Sequence, residues 1–254
     1  MTTATTITGL TPISLVELNE KAALQTRVDR KYALSRVDAA MVLSAVDAST
    51  RVLEIDGQRA SSYESVYFDT PDLLSYRMAA HARRRRFKLR TRSYLDSQQT
   101  WLEVKTRGAR STTVKDRIEH ELEHRDRLTG SARDYADSAL ESVGIDSPAG
   151  LELVPTLVTR YDRTTLFIES SLSRATIDNN LSWEGSDGRI MHRPDLVIIE
   201  SKSGSRTSEI DRLLWRWGHR PVNISKFGTG LAAIRPDLPS NKWARVLRRH
   251  FSGA

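Results

Sequence analysis

Cations recur at every second residue in several separate stretches of this chain. In ARRRRFKLRTRSY, residues 82–94, Arg86, Lys88, Arg90, Arg92 and Tyr94 share one parity, and Phe87, Leu89, Thr91 and Ser93 share the other. Successive side chains of a strand point to opposite faces, so this run predicts a cationic face backed by an apolar one. The pattern repeats with Trp101, Glu103, Lys105 and Arg107 against Leu102, Val104 and Thr106, and again with Lys115 and Arg117 against Val114 and Ile118. Tyr161 shares a parity with Arg163, Arg174 with Thr176 and Asp178, Glu200 with Lys202, and Asp29 with Lys31. Any one of these strands is explained by a half-exposed antiparallel sheet with a solvated polar face. Their recurrence is not, because crowded cations repel one another unless an anion lies among them. Guanidinium forks match phosphate oxygens, and a sheet closed into a barrel would converge these charges on its axis.

Three carboxylates stand two residues before a lysine: Asp29, Glu103 and Glu200. Each either pairs with its lysine or helps to hold a divalent metal. Mg²⁺ and Mn²⁺ take hard oxygen ligands, commonly one or two carboxylates completed by phosphate oxygens and water.

The elements that must position these residues follow from periodicity and turn chemistry. Helices are expected over residues 12–25, from Ser35 through residue 48, from the TPD turn at 70–72 through Met78, over 131–143 up to Gly144, and over 207–217. Ile210, Leu213, Leu214 and Trp217 share one face of the last of these, and Trp215 and Trp217 read as packing residues. Strands are expected over 27–35, 63–69, 84–95, 99–107, 112–123, 155–169, 172–179 and 195–202. Turns fall at Asp96–Gln98 and Gly108, and SPAG at 147–150 is the candidate seam. Strands in sequence joined by tight turns give an α+β class with an antiparallel sheet.

Lysine and arginine number 39 against 32 acidic residues, a net charge of +7 that favours phosphate-rich partners without choosing among them. There is no cysteine, which excludes disulfides and thiolate metal sites. The N-terminus lacks a basic and apolar leader, and no apolar run reaches the roughly 20 residues of a membrane span. A cytoplasmic protein without a transmembrane segment is expected, and the basic 239–250 helix reads as a solvated end.

Nine segments in order resemble the catalytic domain of the VTC family, the polyphosphate polymerases of the triphosphate tunnel metalloenzyme (CYTH-like) superfamily. They are RVDRKYALS (27–35), SVYFDTPDLLSYR (65–77), RFKLRTRSY (86–94), TWLEVKTR (100–107), TTVKDR (112–117), TLVTRYDRTTL (156–166), RATIDNNLSW (174–183), LVIIESKS (196–203) and NISKFGTG (223–230). The resemblance implies a closed eight-stranded antiparallel barrel with helices packed outside, in one domain with its core at about 12–235. It implies catalytic tunnel cations at Lys31, Arg90, Arg92, Lys105, Lys115, Arg163, Arg174, Lys202 and Lys226. Arg86, Lys88, Tyr161 and Ser225 would bind substrate, and Glu200, with Glu103 as a second candidate, would hold Mn²⁺ or Mg²⁺. The first strand departs from the superfamily's Glu-x-Lys by reading DRK, so Asp29 is left out of the implied metal ligands.

ATP or another triphosphate and inorganic polyphosphate are the partners so implied, and an ATP-dependent polymerase the activity. The same residues suit a triphosphatase if water is the acceptor, or a polyphosphate binder without turnover. Base-stacking aromatics at RNA- or DNA-reading spacing are missing from the sequence, so no nucleic-acid role is expected.

Overall fold

In a computed structural model of the chain, residues 7, 9–22, 28–107, 113–145 and 150–251 are described. The chain divides into two compact units. One comprises Met1–Ser61, Tyr161–Leu181 and Arg193–Ile224; the other comprises Ser62–Arg160, Ser182–His192 and Ser225–Ala254.

The first unit opens with a short strand β1 (Thr11–Ile13) and helix α1 (Leu15–Lys21). Ser14 caps α1 by accepting the Glu17 N–H at 3.2 Å. Strand β2 (Val28–Ser35) runs into helix α2 (Arg36–Ser44), where Ser35 accepts the Asp38 N–H at 3.0 Å, the cap expected of this residue. Strand β3 (Arg51–Leu53) pairs with β1 in parallel. Two long strands, β8 (Val154–Ile168) and β9 (Ser173–Gly185), contribute residues to both units. Within the first unit β9 pairs with β11 (Leu196–Ser203), which pairs with β2, both antiparallel.

One face of these strands carries Tyr32, Leu34, Ile177, Val197 and Ile199 into a core shared with α2 and with α5 (Glu209–Arg216). Asp211 accepts from Tyr32 Oη at 2.8 Å and Ser201 Oγ at 2.5 Å, so the carboxylate buried under this sheet is satisfied. The other face presents Asp29, Lys31, Glu200 and Lys202.

The second unit is built on β4 (Ser61–Asp69), β5 (Arg86–Tyr94), β6 (Gln99–Arg107) and β7 (Thr113–His120), antiparallel in that order, with β8 beside β4. Alternation dictates the burial of β5: Phe87, Leu89, Thr91 and Ser93 are buried, and each cation among them is half-buried. Phe87 and Leu89 join Val66, Phe68, Leu102 and Val104 under α4 (Gly130–Glu141). Asp69 ends β4 and receives the N–H groups of Thr70, Ser75 and Tyr76 at 2.7–2.9 Å, which fixes the start of α3 (Leu74–Ala80). Strand β10 (Ile190–Arg193) pairs with β9, and helices α6 (Lys226–Ile234) and α7 (Ala244–His250) complete the unit.

The class is α+β, with a largely antiparallel sheet. The strand order β2-β11-β9-β8-β4-β5-β6-β7 ends at β2 and β7 among the described residues, so hydrogen bonding does not close the expected eight-stranded ring. No helix among the described residues is long and apolar enough to cross a membrane.

Several expectations need correction. Pro12 lies in β1 rather than in a helix; proline lacks an N–H donor and is tolerated at such a peripheral strand. The three-residue strands β1 and β3 and the four-residue β10 are too short to show a period. Trp217 is 40% exposed at the end of α5, and Trp215 packs on the core in its place, donating to Tyr32 Oη at 3.0 Å. Residues 23–27, Gly108 and 147–149 lie outside the described residues.

Candidate phosphate-binding site

The residues expected to meet phosphate form one cationic face in each unit. In the second unit, cross-strand pairing arranges them in rows. Lys88, Lys105 and Lys115 stand side by side; Tyr67, Arg90, Glu103 and Arg117 form the next row; Ser65, Arg92, Trp101 and Glu119 form the third. Glu103 is 2% exposed. Arg90 grips its Oε2 from Nε at 2.8 Å and from Nη2 at 2.6 Å, Lys115 donates to Oε1 at 2.8 Å, and Arg92 Nη1 stands 3.7 Å from Oε1. Burial pushes the Glu103 carboxyl up, but the pull of Arg90, Arg92 and Lys115 outweighs it and holds the group well below the ordinary carboxylate range. Glu103 is therefore an anion locked in place by its neighbours. Its charge is met by Lys115 and Arg90 from the neighbouring strands.

Arg90 also donates from Nη1 to Tyr67 Oη at 3.0 Å, and Tyr67 stacks on Phe227 with ring centroids 4.9 Å apart. Lys88 donates to Ser225 Oγ at 2.7 Å, and its ammonium lies 5.9 Å from the centre of the Phe227 ring. Ser225 also caps α6, accepting the Gly228 N–H at 3.1 Å, and Lys226 is the first residue of that helix. The placement of Lys226 depends on close approach. A Cβ at Gly228 would stand 2.3 Å from the Trp243 ring, and one at Gly230 would stand 2.1 Å from the Trp183 ring. Trp183 Nε1 donates to the Lys226 carbonyl at 2.8 Å. Arg86 stands opposite Arg107, and burial, then the Arg107 charge, lowers its pKa; it donates to the Arg83 carbonyl at 2.7 Å.

In the first unit the rows are Asp29, Lys202 and Arg174, then Lys31, Glu200 and Thr176, then Ala33, Ile198 and Asp178. Lys202 Nζ stands 3.1 Å from Glu200 Oε1. Burial pushes the Glu200 carboxyl up, but Lys31, Lys202 and Arg163 more than offset this and hold it far below the usual range. Burial in turn pushes the Lys202 ammonium down, with Glu200 opposing. Arg163 forms a fork to Asp178 at 2.7 and 2.9 Å and lies 5.2 Å from the Tyr161 ring centre. Arg174 Nη2 donates to the carbonyls of Leu18 and Ala22 and to Asn19 Oδ1, each at 3.2 Å, at the C-terminal end of α1.

Sequence reasoning missed two partners: Asp178, which holds Arg163, and Tyr67, which holds Arg90. Asp178 was visible as the acid sharing parity with Arg174 and Thr176; Tyr67 carried no signal beyond strand propensity. No group of three or more His, Cys, Asp or Glu side chains gathers among the described residues, so protein side chains alone do not build a metal cage. A cavity of about 680 Å³ at the β6–β7 end is lined by Trp101, Glu119, Glu121 and Glu123 among others, a sign of charge that disfavours phosphate.

The model of the VTC domain matches residues 26–235. No curated protein matches the chain. In structure the chain is similar to HpAC1 of Hippeastrum, described as an adenylyl cyclase candidate with a dominant triphosphatase activity. The TM-score is 0.50 and the identity 16%, over 85% of this chain and 100% of that one. It is also similar to a conserved hypothetical protein of Pyrococcus furiosus, with a TM-score of 0.38 and 14% identity over 76% of this chain and 88% of that one. The likeness to HpAC1, at 16% identity, is one of fold alone. With most of its length matched, cationic faces included, the chain belongs to the VTC domain family.

Proposed function

We propose that this protein is a polyphosphate polymerase that transfers the γ-phosphoryl group of ATP to an orthophosphate or to the end of an inorganic polyphosphate chain, in the cytoplasm. The observation that carries the reading is the membership in the VTC domain family together with the two cationic faces, each organised around a carboxylate set among cations. The closed eight-stranded barrel, formed as one domain, belongs to the same proposal.

In the transfer, an acceptor phosphate oxygen forms a bond to the γ-phosphorus as the bond from that phosphorus to the bridging oxygen breaks. ADP leaves with the electron pair. No protein nucleophile is needed, because the acceptor is already an anion; positioning and charge neutralisation carry the catalysis. Arg90, Arg92, Lys105 and Lys115 in the second unit, and Lys31, Arg163, Arg174 and Lys202 in the first, would neutralise phosphoryl oxygens. Arg86, Lys88, Tyr161, Ser225 and Lys226 would hold the chain of phosphates.

Glu200 suits a metal better than Glu103 does. Among the described residues it has one ion pair, to a lysine, whereas Glu103 is gripped by an arginine fork and a lysine. A Mn²⁺ or Mg²⁺ ion held by Glu200 would be completed by phosphate oxygens and water and would supply further neutralisation of the triphosphate.

A triphosphatase reading, with water as acceptor, is favoured by one observation, the activity described for HpAC1. Incubation with ATP and Mn²⁺, with products resolved by chain length, separates the two. Long polymer is expected. Orthophosphate as the sole product would establish the hydrolase and overturn the polymerase.

A further inference from the structure

The cationic face of the second unit holds three buried donors, two of which, the hydroxyls, no charge pattern pointed to. Ser65 Oγ, Thr159 Oγ1 and Arg92 Nε have no hydrogen-bond partner among the described residues. Ser65 and Thr159 are each 1% exposed, and the Arg92 side chain is 12% exposed. Buried hydroxyls and guanidinium N–H groups are ordinarily satisfied, and an unmade bond at such a site is destabilising. Three together on one face call for an explanation.

Their placement supplies it. Ser65 is the cross-strand partner of Arg92, in the row next to the one that joins Tyr67, Arg90 and Glu103. Strand β8 is fixed against β4 by the hydrogen bond from Thr156 Oγ1 to the Tyr67 carbonyl at 3.1 Å. On β8, Val158 packs with Val66 and Phe68, and Arg160 Nε donates to Glu64 Oε2 at 2.7 Å. Val158 and Arg160 thus share the face of Glu64, Val66 and Phe68. Alternation then puts Thr159 on the opposite face, with Ser65 and Tyr67. Two neutral hydroxyls and one charged N–H therefore stand on a face already rich in cations. A ligand that suits them must be anionic and must accept several hydrogen bonds at once, as a tetrahedral phosphoryl group does.

We propose that Ser65, Thr159 and Arg92 Nε form a hydrogen-bonding cradle for the non-bridging oxygens of one phosphoryl group of a triphosphate or polyphosphate chain. This rests on the phosphate reading above and adds to it. The lysines attract phosphate as point charges without fixing its orientation, whereas a guanidinium N–H and two hydroxyls set on one face bond its oxygens at defined places. The cradle is what holds one phosphoryl group at a defined position along the face.

The test compares the intact protein with Ser65→Ala, Thr159→Val and the double variant. Binding of inorganic tripolyphosphate and of ATP is measured by calorimetry, and unfolding temperature is measured with and without tripolyphosphate. Each single change is expected to weaken tripolyphosphate binding by about 10-fold and the double change by about 100-fold, since each removes a hydrogen bond to a charged group. Without ligand, the unfolding temperature should hold or rise, because a buried unpaired donor has been replaced by carbon. Ser65→Thr, which keeps the hydroxyl, should restore affinity. ATP should lose affinity in parallel, because the cradle reads phosphate. Binding in the variants equal to that of the parent, or weaker binding accompanied by a lower unfolding temperature without ligand, would overturn the cradle alone. Loss confined to ATP would likewise move these residues to the nucleoside. A parent protein that binds neither ligand would overturn the phosphate reading and the cradle with it.

Discussion

Glu103 and Glu200 are both carboxylates set among cations on a strand, and both are held ionised against burial. They differ in how tightly the cations hold them. Glu103 accepts two bonds from one guanidinium and one from an ammonium, and a second guanidinium stands close by. Glu200 is approached by the ammonium of Lys202, while the guanidinium nearest in charge, Arg163, is committed to Asp178. The difference comes from sequence position. The acid of the second unit lies in the same row as Arg90, whereas the first unit supplies a separate acid to take up its arginine. A fork between Arg and a carboxylate fixes geometry; a lysine gives charge with freedom to move. The first arrangement suits a structural anchor and the second a ligand that must exchange partners.

Glu103→Gln should be the most damaging change to stability. It removes the charge that Arg90 and Lys115 grip and Arg92 faces, and a loss of about 3 kcal/mol in unfolding free energy is expected from breaking a buried pair on one side. Denaturant titration measures it. The pH dependence sharpens the assignment. A folded pKa below the unfolded one contributes stability that is fully present above the unfolded value of about 4.3 and fades as pH falls through the folded value. The gap between parent and variant should therefore be constant from about pH 8 to pH 5 and shrink below pH 4. A gap that instead shrinks above pH 5 would show that Glu103 is not held as an anion.

Asp178→Asn should cost about 2 kcal/mol, because it weakens the buried fork to Arg163. It also tests why Glu200 stays accessible. With that fork weakened, Arg163 is expected to turn toward Glu200, making this cluster resemble the other. Weaker Mn²⁺ binding, read by calorimetry, is the expected result; unchanged binding would show that Asp178 does not guard Glu200.

Gly230→Ala should cost about 1–3 kcal/mol by overpacking against Trp183. Phosphate affinity should fall with it, since α6 begins at Lys226. Smallest in stability is Glu200→Gln, at about 1.5 kcal/mol for the loss of one charge-assisted bond to Lys202. Its larger effect should be on metal-dependent turnover, by about 100-fold. If Glu200→Gln unfolds the protein as readily as Glu103→Gln, the contrast between the two carboxylates fails.

Period-two alternation made β5 and β6 legible almost residue for residue, because one of their faces is buried and the other charged. It showed the cations and both acids, but the one protein partner it offered each acid, beside a metal, was the lysine two residues on. For Glu103 the nearer partners come from neighbouring strands, and register is invisible to a single sequence. Ser65 and Thr159 escaped because a small hydroxyl residue in a strand looks like any other; only their burial without partners distinguishes them. Helix α6 escaped for a different reason. Gly228 and Gly230 lower helix propensity, and the tryptophan rings that require them come from distant parts of the chain.

Glu103 has one more consequence. Three cations within reach of a single buried site would drive each other apart if nothing negative lay among them. The carboxylate acts as a resident anion and keeps them assembled before any phosphate arrives. An incoming phosphate must then compete with an anion that belongs to the protein. The face is organised in advance at the expense of grip, a balance that would suit the polymerase proposed above, whose product must move on rather than stay.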